Sequence, residues 1–168
     1  MTVATEEIFL SVIEAHKGII YKVVNSYCND EEGKKDLAQE IVLQLWRSFH
    51  TYDEQYKYST WMYRIALNVA ISLYRKTKTR KHISHEFTES IFSFADAGRE
   101  SESENKSSLL QQFIGELKEL DKALMLLYLE EKSYKEISEI TGLSETNVAT
   151  KLSRIKIILK QKFSNINA

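Results

Sequence analysis

Apolar side chains recur at steps of three and four along most of this chain. Ile8, Val12, Ile13, Ile19, Ile20, Val23, Val24 and Tyr27 set out one helical stripe, and Gly33 loosens the chain that follows it. Leu37, Ile41, Leu45 and Trp46 mark a second amphipathic helix from about Lys34 to Phe49. The stretch His50 to Ser59, "HTYDEQYKYS", has no period and reads as a loop. Thr60 then stands where it can cap a helix carrying Trp61, Ile65, Ala66, Val69 and Leu73. Residues 77–106 turn polar, and a helical pattern resumes at Leu109 and continues nearly to the end. The expectation is an all-α chain of two small helical domains, residues 1–78 and 108–168, joined by a flexible linker over 79–107.

The second domain opens with a recognisable arrangement. Ser133 and Glu136 have S-x-x-E spacing, so each side chain can satisfy a backbone amide at a helix start. Gly142 can take the left-handed conformation that ends that helix, and Ser144 is placed to cap the next one. Helix, short glycine turn, helix is the shape of a helix-turn-helix. At 100° per residue, Val148, Leu152, Ile155 and Leu159 form the buried stripe of the second helix. Thr146, Thr150, Ser153 and Arg154 lie on the opposite arc, flanked by Asn147 and Lys151. Short hydroxyls and an arginine let a helix approach duplex DNA closely and bond base edges or phosphates. A structural surface helix would more often carry Glu–Lys pairs there.

Composition agrees with helices and excludes several classes of function. There are no prolines and only five glycines in 168 residues, so helix breakers are scarce. The longest purely apolar run, Ala123 to Leu129, is far shorter than the roughly 20 residues that span a bilayer. The N-terminus lacks the basic-then-apolar order of a signal peptide. Cys28 is the only cysteine, so no internal disulfide can form and a reducing cytoplasm is the expected location. His16, His50, His82 and His85 are scattered, with no neighbours that complete a zinc site or a nucleophile pair. No catalytic residue, metal or cofactor is expected.

Charge is segregated behind a net value of −1. Residues 55–85 hold seven basic side chains and no acid, and residues 146–168 hold five and none. Two basic surfaces on an otherwise acidic chain suit two contacts with a polyanion, although charge runs are commonly just solvated faces. In the first basic region, Tyr52, Tyr56, Tyr58, Trp61, Tyr63 and Tyr74 alternate with cations. Aromatic faces stack on unpaired bases while cations hold phosphates, a mixture suited to single-stranded nucleic acid. The competing reading makes Trp61 and Tyr63 core aromatics. On the residues alone, a helix-turn-helix regulator binding duplex DNA as a dimer and a protein-binding helical adaptor also stay open.

Three stretches resemble a known family. "DLAQEIVLQLW" from Asp36, "TWMYRIALNVAISLYRK" from Thr60 and "LDKALMLLYLEEKSYKEISEITGLSETNVATKLSRIK" from Leu120 are similar to bacterial sigma factors of the extracytoplasmic-function group. The resemblance implies an alternative sigma factor, with one domain that binds core RNA polymerase and melts the promoter −10 element and a second that reads the −35 element. It implies that Asp36, Gln39 and Glu40 grip the polymerase β′ clamp, with a further contact to the β flap. It assigns −10 binding and melting to Tyr56, Tyr58, Trp61, Tyr63, Asn68, Arg75 and Lys76, and a base pocket to the loop 50–59. Reading of the −35 element falls to Thr146, Asn147, Ala149, Thr150, Lys151, Ser153 and Arg154. The chain departs from the family at Ala149, where a basic residue is frequent, and at Thr146-Asn147, where Gly-Thr is frequent. The resemblance also implies promoter DNA and an anti-sigma factor as partners, no membrane insertion, and an acidic linker lying in the polymerase RNA path.

Overall fold

The computed structural model describes residues 2–81 and 102–167, with helix alone as its regular structure there. Helices α1 (Val3–Tyr27), α2 (Glu31–Ser48) and α3 (Tyr58–Lys81) form the first half, and a single 3₁₀ turn, Phe49–Thr51, follows α2. Helices α4 (Glu102–Gly115), α5 (Glu119–Leu129), α6 (Tyr134–Thr141) and α7 (Glu145–Ile166) form the second. The expected linker 79–107 falls between the two, and its residues 82–101 lie outside the described residues.

The helix starts follow side-chain chemistry. Asp30 caps α2 by accepting from the Gly33 amide at 2.8 Å, and Glu31 and Glu32 complement the positive end of the helix. Gly33 therefore sits inside the first turn of α2 rather than in the preceding loop. A Cβ at Gly33 would stand 2.8 Å from the Asp30 carboxylate, so the missing side chain lets the cap close. Thr60 is not a cap. Helix α3 begins earlier, at Tyr58, and Thr60 is buried within its first turn.

Helices α1, α2 and α3 pack around Val23, Ile41, Leu45, Met62 and Ala66, all of them fully buried. Ile8, counted in the α1 stripe from sequence, is exposed instead. In the second half, α6 starts with a reciprocal capping box, Ser133 with Glu136, and ends on Gly142 at φ 79°. Ser144 caps α7 by accepting from the Asn147 amide at 3.1 Å. Val148, Leu152, Ile155 and Leu159 are buried as the wheel requires. Phe113 of α4 meets Phe163 of α7 edge-on at 5.0 Å, closing the bundle. The two halves also touch each other. Helix α3 packs against α5 and α6, and the buried apolar residues form one contiguous cluster.

Candidate nucleic-acid interface

Helix α7 carries its reading face outward. Thr146, Asn147, Thr150, Ser153 and Arg154 are exposed, while Ala149 and Lys151 are half-buried at its flanks. Thr150 donates its hydroxyl proton to the Thr146 carbonyl at 3.0 Å, so toward any ligand its oxygen is left as an acceptor. Not every cation of this helix faces solvent as a separate charge. Lys156 lies 4.0 Å from the Tyr128 ring centroid, and Lys162 pairs with Glu116. The hydrogen bond to Tyr128 raises the Lys156 pKa. The basic helix of the sequence is thus partly neutralised by its own domain.

The loop before α3 is an aromatic assembly. Tyr52 stacks on Tyr58 with centroids 4.4 Å apart and meets Trp61 edge-on at 5.5 Å. Phe49 links Trp61 to Phe9 and so to the core. Tyr52 also donates to the Tyr56 carbonyl, which ties the loop to itself. These tyrosines are therefore occupied with one another. The open feature beside them is a cleft of about 290 Å³ lined by Ser48, Thr51, Asp53, Tyr56, Trp61 and Arg64, among others. The Arg64 guanidinium lies 5.8 Å from the Tyr56 ring centroid at its edge. Sequence reasoning missed Arg64 and Asp53. Arg64 was findable, since it follows Trp61 by three positions and so shares its helix face.

A second cleft, about 400 Å³, runs between α2 and α3. It brings Glu40 together with Asn68 and Lys76, residues that sequence reasoning had given to different partners. Glu40 accepts from Gln44 at 3.1 Å, while Asp36 and Gln39 stand exposed along the same helix. Gln39 borders an apolar depression formed by Phe9, Ala38, Val42, Leu43 and Trp46.

Two of the expected −10 residues are engaged differently. Tyr63 is 2% exposed, with Lys132 of the α5–α6 turn 5.6 Å from its ring centroid. Burial, then the nearby Glu130 charge, push its hydroxyl up to about 12. Arg75 Nε donates to Glu119 Oε1 at 2.8 Å. The structure thus gives Tyr63 the core-aromatic position and leaves Trp61 half-buried at the cleft.

Residues 12–80 match the family described as Sigma-70 region 2, and residues 107–159 match Sigma-70, region 4. The chain is 30% identical to the ECF RNA polymerase sigma factor SigM of Bacillus subtilis (strain 168), covering 91% of this chain and 93% of that one. The chain belongs to the ECF RNA polymerase sigma factor family. It is 25% identical to SigW of the same organism over 96% of its length and 91% of the relative. Its fold is that of CnrH in complex with the cytosolic domain of CnrY, with a TM-score of 0.67 at 16% identity over 95% of this chain and 90% of that one. The sigma factor RpoE in complex with the anti-sigma factor NepR from Bartonella quintana gives 0.63 at 15% identity, over 97% and 98%. As an alternative sigma factor the chain directs transcription initiation. No helix among the described residues is long and apolar enough to cross a membrane.

Proposed function

We propose that this sigma factor divides promoter recognition between the 290 Å³ cleft at the start of α3 and the outward face of α7. The domains doing so span residues 1–78 and 108–168, with 79–107 as the tether. The observation that carries this reading is the pairing of a base-sized polar cleft beside Trp61 with a capped helix-turn-helix whose exposed arc holds Thr150, Ser153 and Arg154. An unpaired −10 base enters the cleft. Trp61 and Tyr56 offer aromatic surface, Arg64 holds a phosphate, and Asp53 and Thr51 accept from base edges. Asn68, Arg75 and Lys76 continue the path for the strand along α3. Extruding a base costs a few kcal/mol, least where pairing is weak, so a preformed cleft turns that cost into sequence choice.

Asp36, Gln39 and Glu40 form the contact with the polymerase β′ clamp, and the α4–α7 domain meets the β flap. The protein is no enzyme by itself: RNA synthesis belongs to the polymerase. It acts in the cytoplasm, and an anti-sigma factor is its regulatory partner, as the two solved relatives are each held by one. Run-off transcription by purified core polymerase tests this function. Promoter-specific transcripts that require the protein are expected. Their absence, with core polymerase active on nicked templates, would overturn it.

A further inference from the structure

The contact between the two halves is built largely from charges that the proposed function needs elsewhere. Arg75 of α3 is bound to Glu119, Lys57 of the α3 loop faces Glu136 at 3.8 Å, and Lys22 of α1 pairs with Glu130. In each pair the cation comes from region 2 and the carboxylate from the region 4 half. Between them, Lys122 of α5 is 4% exposed, with its ammonium 5.1 Å from the Tyr27 ring centroid and 5.0 Å from that of Tyr74. Tyr27 donates its hydroxyl to the Glu119 carbonyl at 2.6 Å. Tyr63, the aromatic that resemblance placed on DNA, lies under Lys132. The carboxylates of one half thus occupy positions where phosphates would sit on the other.

This packing cannot persist on a promoter. Elements centred at −10 and −35 are about 25 base pairs apart, or about 85 Å of duplex at about 3.4 Å per pair. A compact chain of this length has a diameter of about 40 Å. Resting on the promoter reading above, we propose that this closed arrangement is an intramolecular block: Glu119, Glu130 and Glu136 mimic nucleic-acid phosphates and hold the −10 surface shut in the free protein. The α7 reading face stays outward throughout. The free protein is therefore silent toward single-stranded −10 DNA, and the block is released when polymerase separates the halves.

Acetylation of lysines in the full-length protein, read by mass spectrometry, tests the block. Lys122 should react far more slowly than exposed Lys118 in the free protein, and its reactivity should rise on addition of core polymerase. Three partly exposed ion pairs together are expected to shift the opening equilibrium by about tenfold. The combined E119Q, E130Q and E136Q variant should therefore acetylate Lys122 about tenfold faster and bind a fluorescent mixed-sequence single-stranded 20-mer more tightly. Glutamine keeps the capping box of α6, and circular dichroism checks the fold. E6Q, E7Q and E32Q removes the same charge from exposed positions outside the contact and should leave both readouts as in wild type. Equal reactivity of Lys122 and Lys118 in the free wild type would overturn the proposal. So would equal tightening of single-strand binding by the two triple variants. Both readouts use free protein, whereas a failure of the promoter reading would appear as loss of run-off transcription by the wild-type holoenzyme.

Discussion

Ser133 and Glu136 hold each other's backbone. The Glu136 amide donates to Ser133 Oγ at 3.1 Å, and Glu136 Oε2 accepts from the Ser133 amide at 3.0 Å. This reciprocal cap sets where α6 begins, and with it the angle at which the helix-turn-helix is presented. Replacing Ser133 by Ala should destabilise the fold by about 1 kcal/mol, as loss of such a cap does elsewhere. Chemical denaturation checks this through a lowered midpoint at unchanged slope.

The same pair gives a pH dependence with a defined sign. The hydrogen bond from the Ser133 amide, with Lys132 and Lys57 nearby, holds the Glu136 pKa below its ordinary 4.5. A depressed carboxylate contributes stability that is present above 4.5 and lost as pH falls through the lower folded value. Thermal melts between pH 5 and 3 should therefore show wild type losing stability faster than the Glu136→Gln variant. Parallel losses would remove Glu136 from the account.

Gly142 holds a left-handed conformation with open space around it, since nothing lies within 4 Å of where its Cβ would be. The penalty for Gly142→Ala is therefore backbone strain alone, about 1–2 kcal/mol. Gly142→Asn should cost less, because asparagine tolerates this region. Denaturation midpoints in the order Gly, Asn, Ala are the expected result.

Asp36 and Glu40 project from α2 one turn apart. Charge reversal of both, Asp36→Lys with Glu40→Lys, should weaken competition for core polymerase while circular dichroism stays unchanged. Unaltered affinity would place the polymerase contact elsewhere, with the apolar depression beside Gln39 the next surface to alter.

Much of the fold was legible because local rules decide it. The α7 stripe, the capping box and the glycine turn are each set by residues within four positions of one another, and all three are as read. Errors fell where local signals compete. Thr60 looked like a cap, yet Tyr58 has apolar neighbours that extend α3 backwards; Gly33 looked like a loop residue, yet its missing side chain completes the Asp30 cap. The tyrosines of residues 52–58 read as free stacking surfaces because sequence cannot show that Tyr52 and Tyr58 stack on each other. Nor could it pair Lys22 with Glu130, which stand 108 positions apart with no periodic signal between them. The candidate site was visible as residue types, while its cleft, with Asp53 and Arg64, required the fold.

The division of labour between cleft and recognition helix is tested most directly by transcription from a promoter library randomised separately at −10 and −35, using holoenzyme carrying wild type, Arg154→Ala or Arg64→Ala. A base contact is worth about 1–3 kcal/mol of discrimination, whereas a phosphate contact weakens all sequences alike. Arg154→Ala should therefore change the ranking of −35 sequences and leave the −10 ranking intact. Arg64→Ala should lower transcription from all −10 sequences alike. An Arg154→Ala holoenzyme that kept the wild-type −35 ranking would contradict the account.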